Sequence, residues 1–200
     1  MSDLPFSQAC ENNKQYILEV IQRHLDGGDR VLEIGSGTGQ HGAYFTLAMP
    51  GVHWQCTDIA ENLPTLRPRI DAAQLANLPA PFSLNVDQPR WHESGTSGFD
   101  AVFSANSLHI MGAGSVENFF KGIAVNNTGT RLLMVYGPFK YRGEFTTESN
   151  ARFDLWLKER DPASGIRDFE WIDELASNAG FNLLEDNAMP ANNQLLVWSR

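Results

Sequence analysis

VLEIGSGTGQH, residues Val31 to His41, sets three glycines at alternate positions behind an acidic residue and an apolar run. RVLEIG reads as a buried strand and the segment from Gln40 to Met49 as the helix after it, so the glycines form the turn between them. Glycines at positions 35, 37 and 39 let a ligand approach the backbone N–H groups at the start of that helix.

The chain on either side alternates between the same two patterns. Upstream, residues 11–25 carry Ile17, Val20, Ile21 and Leu25 on one helical face, closed by Gly27-Gly28. Downstream, GVHWQCTD, PFSLNVD, FDAVFSAN and TRLLMVYGPF read as strands two to five. Residues 61–77 read as a helix whose first part Pro64 and Pro68 make irregular. SVENFFKGIAV presents Val116, Phe119, Phe120 and Ile123 on one face. FEWIDELASNAG is a further helix, with Asp168 as N-cap and Gly180 past its end. The last two strands, FNLLED and NQLLVWSR, are joined by too short a link for a crossover and must be antiparallel neighbours. The expectation is one α/β domain over residues 1–200, a mostly parallel sheet with helices on both faces. Residues 1–27 form its N-terminal segment and helix.

Composition narrows the partners. The 200 residues hold 15 Lys and Arg against 24 Asp and Glu, a net charge of −9. No basic run interrupts that acidity, so nucleic acid is not an expected partner. A neutral or cationic small molecule fits better. Cys10 and Cys56 lack metal-type spacing and make no disulfide framework, which suits a reducing cytoplasm, and no metal site is expected. No leader pattern or 18-residue apolar run occurs, so neither secretion nor membrane spanning is expected. The oligomeric state is not legible.

The turn departs from the dinucleotide fingerprint G-x-G-x-x-G, since Gln40 occupies the third glycine position. No Gly-Lys-Ser/Thr follows, which excludes a P-loop. Glu33 places an acidic group near any ligand here, awkward for a pyrophosphate and favourable for a cation. LEIGSGTG resembles the first motif of class I methyltransferases that use S-adenosyl-L-methionine. The resemblance implies a Rossmann-like sheet of seven strands, the last antiparallel. It implies that Gly35, Ser36, Gly37 and Gly39 pass beside the methionine part of the cofactor, with Glu33 nearby; His41, at the start of the following helix, contacts the cofactor or the backbone. Asp58, ending WQCTD 19 residues after Gly39, then takes the ribose hydroxyls. In LNVD, either Asn85 or Asp87 meets the adenine. SANSLHIM resembles the fourth motif, which brings Ala105 and Asn106 to the methyl-transfer channel. Beyond these motifs, FSQACENNKQYIL, YGPFKYRGEFTTESNARFD, RDPASGIRD and MPANNQLLVW resemble a methyltransferase-like family of unassigned function found in bacteria and animals.

The acceptor side must be read from its own chemistry. Motifs for exocyclic amines (N-P-P-Y), for covalent attack on pyrimidines (Pro-Cys) and for aminopropyl transfer are absent. His109 follows the fourth motif closely enough to serve as a base, its ordinary pKa being about 6.5; the competing role is a core histidine. Tyr136, Pro138 and Phe139 end strand five and wall the acceptor pocket, or pack in the core. The segment 140–168 is long for a loop. It is expected to be a lid with one helix near 148–160, anchored by Phe153, Trp156 and Leu157, with Ser149, Asn150 and Asp154 facing cleft or solvent. Glu11, Asn12 and Lys14 are expected to close over the cofactor from the N-terminal side. The activity expected is methyl transfer to a small molecule. The alternatives are a non-catalytic cofactor-binding protein that works through a partner and, more weakly, a nicotinamide-dependent dehydrogenase.

Overall fold

β1 (Arg30–Ile34) lies inside a seven-stranded sheet, flanked by β2 (His53–Asp58) and β4 (Ala101–Ala105), the central strand. A computed structural model describes residues 4–91, 98–126 and 129–200. Beyond β2 lies β3 (Phe82–Ser83), and beyond β4 lies β5 (Leu132–Gly137). β10 (Asn193–Ser199) pairs with β5 and β9 (Asn182–Met189) pairs with β10, both antiparallel. The other pairings in this sheet are parallel. Parallel central strands are buried on both faces, which is why RVLEI and LLMVYG read as continuous apolar runs.

Alternate residues of β1 divide the core. Val31 faces one side with Ile17, Phe45, Trp54 and Phe103, beneath α1 (Gln8–Ile21), α2 (Gln40–Ala48) and α3 (Leu63–Ala73). Leu32 and Ile34 face the other with Phe119, Phe120, Ile172 and Trp198, beneath α4 (Ala113–Asn126) and α6 (Phe169–Asn178). Both faces are covered by helices, as the alternation of elements requires.

Several local expectations are corrected. α1 begins at Gln8 because Ser7 caps it, accepting from the Cys10 N–H, and it ends at Ile21 in a tight turn rather than at residue 25. α3 runs through Pro68, with Pro64 in the first turn where a missing N–H costs little. Strand three stops at Ser83. The Asn85 side chain accepts from the Asp87 N–H, and the Gln88 N–H bonds back to Asn85, so the chain turns where an extended run was expected. Asp168 occupies the N-cap position, but its carboxylate accepts from the Gly143 N–H and pairs with Lys140.

The segment after β5 builds a second, three-stranded sheet that sequence patterning did not show. It comprises β6 (Phe139–Tyr141), β7 (Glu144–Phe145) and β8 (Arg167–Asp168), with α5 (Glu148–Arg160) between the last two. Among the described residues no helix is long and apolar enough to cross a membrane.

Candidate active site

The carboxyl ends of β1, β2, β4 and β5 meet at the glycine turn, where ligands bind in open parallel sheets. The turn is fixed to β2: Gly35 and Ser36 donate their N–H groups to the Thr57 carbonyl, and Ser36 Oγ accepts from the Thr57 N–H. The three glycines have different reasons to be glycine. A Cβ on Gly35 (φ +79°) would come within 2.4 Å of Ser107 Oγ, and one on Gly39 within 2.9 Å of Leu66. Of the three, only Gly37 (φ +55°) faces open space.

Asp58 closes the turn from the end of β2. It is buried; Oδ2 accepts from the Gly37 N–H at 2.7 Å, and Oδ1 from the Ile59 N–H and Asn62 Nδ2, both at 2.8 Å. Glu33 lies elsewhere than its sequence position suggests. It shares the face of Val31, beneath α2, 1% exposed, where Trp54 Nε1 and Cys56 Sγ donate to its Oε2 at 2.9 and 3.2 Å. Burial pushes its carboxyl above the ordinary value. It therefore supports the turn from below and does not present an exposed anion.

The N-terminal segment is strapped across the turn. Gln40 accepts from the Ser7 N–H at 2.6 Å and donates to the Ser7 carbonyl and Glu11. Arg69 joins the Thr38 and Pro5 carbonyls. Asn12 is exposed and pairs with Gln8; the residue that turns inward is Asn13, whose Oδ1 meets His41 Nε2 at 2.7 Å. His41 is buried, stacked on Phe45 and edge-on to Phe103, and burial draws its pKa down to about 4. Its ring thus faces α1 and the core.

On the acceptor side, Asn106 adopts φ +56° directly after Ala105 and donates its N–H to the Tyr136 carbonyl. Asn106 Oδ1 and His109 Nδ1 lie 4.0 and 3.5 Å from where a Gly137 Cβ would stand. His109 is 5% exposed, and its ring has no hydrogen-bond partner among the described residues. Burial, and secondarily Arg167, draws its pKa down to about 4, so the expected base is a neutral, feebly basic imidazole. Tyr136 is buried, which raises its pKa, an effect opposed by hydrogen bonds from Asn13 and Asn193. Asn85 is half-buried, next to Leu84, whose N–H donates to the Asp58 carbonyl; Asp87 is exposed and holds Ser115 and Asn118 of α4.

The segment 140–168 docks on this edge. Phe153 stands edge-on to His109 at 5.5 Å, and the Gly165 N–H donates to the His109 carbonyl. Asn150 bonds the Asn192 carbonyl, and Asn192 bonds Ser149. Its anchoring differs from expectation: Leu157 is buried, but Trp156 is exposed and stacks on Phe153. Asn150 and Asp154 are buried instead of facing cleft or solvent, Asp154 accepting from the Ile166 N–H at 2.7 Å. Asn13, Gln40, Ser107 and Arg167 are the contributors that the sequence reading missed.

Solved structures share this architecture. An O-methyltransferase family protein from Burkholderia thailandensis superposes with a TM-score of 0.78 at 19% identity, over 94% of this chain and 56% of its own. An O-methyltransferase family 2 protein from Planctomyces limnophilus, solved with apigenin, gives 0.79 at 12% identity over 96% and 58%. Human N-acetylserotonin methyltransferase, solved with SAM, gives 0.75 at 15% identity over 96% and 53%. This chain thus spans a little over half the length of these proteins. At such identities the likeness shows the fold, which is that of class I S-adenosylmethionine-dependent methyltransferases. The family profile described as "Protein of unknown function (DUF938)" matches residues 4–200, and the chain belongs to that family.

Proposed function

We propose that the chain is an S-adenosylmethionine-dependent methyltransferase acting on a small-molecule acceptor. The observation that carries this reading is the glycine turn with Asp58 behind it. Gly37 faces open space, its N–H is held by a buried carboxylate, and that carboxylate, which already accepts from Gly37, Ile59 and Asn62, keeps one position on Oδ2 to accept from a hydroxyl group. That acceptor suits a ribose hydroxyl beside a closely approached backbone, and the residues fit the cofactor. Gly35, Ser36, Gly37 and Asp58 would hold it, with Asn85 at the adenine end and Asn13 and Gln40 closing from the N-terminal side. When bound, S-adenosylmethionine supplies an electrophilic methyl group on a sulfonium.

The chain's own residues then position the acceptor and keep water out. Asn106, His109 and Tyr136 offer hydrogen bonds at the carboxyl edge of β4 and β5, and Phe153 covers His109. Holding the reacting atoms in line accounts for several kcal/mol of such a barrier, roughly 7–11 in well-oriented systems. The docked segment 140–168 overhangs this edge as a lid and favours a small substrate. Both cysteines are free thiols, in keeping with a cytoplasmic setting.

The test is incubation of the protein with methyl-labelled S-adenosylmethionine and a metabolite extract, followed by mass spectrometry. A labelled small molecule formed only with active protein is expected. Cofactor binding without any product would instead favour the non-catalytic alternative.

A further inference from the structure

The groups around the acceptor position share a property that narrows what binds there. Asn106, His109, Tyr136 and Asn193 are all uncharged hydrogen-bonding side chains, and among the described residues no carboxylate bonds to any of them. Of the charged residues on α5 only Asp154 is buried, and on β8 Asp168 is paired with Lys140, which leaves few charged groups to face His109. From α5, Asp154 is committed to the Ile166 N–H and to Lys158 at 2.6 Å. From β8 comes Arg167. Its guanidinium donates to the carbonyls of Leu108, Met111 and Ala163, and among the described residues no carboxylate pairs with it. The Asp154 carboxylate lies close enough to favour its charge but is itself paired with Lys158, so the three groups leave one net positive charge at the loop that carries His109. The turn at residues 190–193 contributes amides, and β5 contributes the Tyr136 hydroxyl.

Such a site suits an anion and, among the described residues, offers no strong base to deprotonate an acceptor. The molecule's −9 net charge acts mainly through solvent and is screened over about 8 Å at physiological ionic strength. Arg167 is partly buried and is screened less. An amine arriving as its ammonium ion, or an alcohol, would need a base. The imidazole of His109 is too feeble to serve, since a group with pKa near 4 cannot hold a proton taken from either at neutral pH.

Resting on the methyltransferase reading, we infer that the acceptor is an acidic oxygen or sulfur compound, bound and methylated as its anion beside His109, with the charge of Arg167 favouring that form. The acceptor's lone pair forms the new bond to the methyl carbon as the carbon–sulfur bond breaks, its electron pair remaining on sulfur. Anion and sulfonium end as two neutral groups, and no proton has to leave. His109 and Tyr136 donate hydrogen bonds to the anion, and Asn106 and Phe153 set its orientation.

The experiment has two arms. In the first, para-nitrophenol, whose phenolate is coloured, is titrated with pH in excess protein, with and without S-adenosylhomocysteine. Bound probe should ionise at a proton concentration at least tenfold higher than free probe. Arg167→Lys should keep that shift and Arg167→Gln should lose it. A bound probe that ionises like the free one, a shift that survives Arg167→Gln, or no binding at all would overturn the inference. In the second arm the methylated atom in each labelled product is located by fragmentation. Methyl on the oxygen or sulfur of an acidic group supports the inference, and methyl on an amine or an aliphatic alcohol overturns it. Absence of any product alongside a retained spectroscopic shift would sink the methyltransferase reading and leave the anion site standing.

Discussion

The Asp58 carboxylate accepts the Gly37 N–H at 2.7 Å, joining the end of β2 to the one glycine of the turn that faces open space. The same oxygen pair also holds Ile59 and Asn62, so Asp58 fixes both the turn and the start of the next segment before any ligand arrives. Asp58→Ala should weaken S-adenosylmethionine binding at least tenfold, because each charge-assisted hydrogen bond lost costs about 1.5–3 kcal/mol. Asp71→Ala, at an exposed site on α3, is the control and should leave calorimetric affinity unchanged.

Gly35 and Gly37 should fail differently when substituted. Gly35→Ala drives a Cβ into Ser107 and should lower thermal stability, and adding Ser107→Gly should restore part of the loss. Gly37→Ala meets no atom within 4 Å and bears only the left-handed strain, about 1–2 kcal/mol. It should remain folded while losing most cofactor affinity. Thermal melts and calorimetry on the three variants separate the two cases.

Acid should destabilise the fold through its buried histidines. His41 and His109 are held neutral with pKa values drawn from 6.5 to about 4, so the unfolded chain binds more protons between those values. The contribution of these histidines is complete above pH 6.5 and falls as the pH drops towards about 4, each contributing on the order of 3 kcal/mol. Urea titrations of His41→Gln and His109→Gln should show a shallower fall over that window. Glu33 acts with the opposite sign: its pKa is raised, so stability declines as pH rises above its ordinary 4.5. Glu33→Gln should remove that decline.

Phe153→Ala should separate the two halves of the site. It strips the ring that stands edge-on to His109 while leaving the glycine turn untouched. Acceptor kcat/KM should fall by at least ~10-fold through loss of positioning, with cofactor affinity within a fewfold of wild type. Deletion of the whole segment is a poorer test, because Leu157 and Ile166 belong to the buried interior. A matching loss of cofactor affinity in Phe153→Ala would contradict the lid.

Periodicity carried most of the fold because apolar residues dominate the pattern that it detects. RVLEIG, FDAVFSAN and TRLLMVYGPF announce buried strands, and the glycine spacing announces the turn. Buried polar residues escape the same method. Asn13 lies four residues before Ile17 and seven before Val20, on the inward stripe of α1, but a polar residue adds nothing to the apolar stripe and is indistinguishable there from Asn12. In α5 the buried face runs through Asn150, Asp154 and Leu157, again at helical spacing, while the apolar Trp156 points outward. The third strand reads longer than it is for a different reason, since an asparagine side chain caps a turn inside an apolar stretch. The weak basicity of His109 arises from residues that reach it only through folding, Arg167 and Phe153 among them.

The central claim is that the glycine turn and Asp58 hold S-adenosylmethionine, and calorimetric titration tests it most directly. Wild-type protein should bind S-adenosylmethionine and S-adenosylhomocysteine at one site per chain and show no heat with NAD. Saturable binding of NAD, with none for S-adenosylmethionine, would contradict the account.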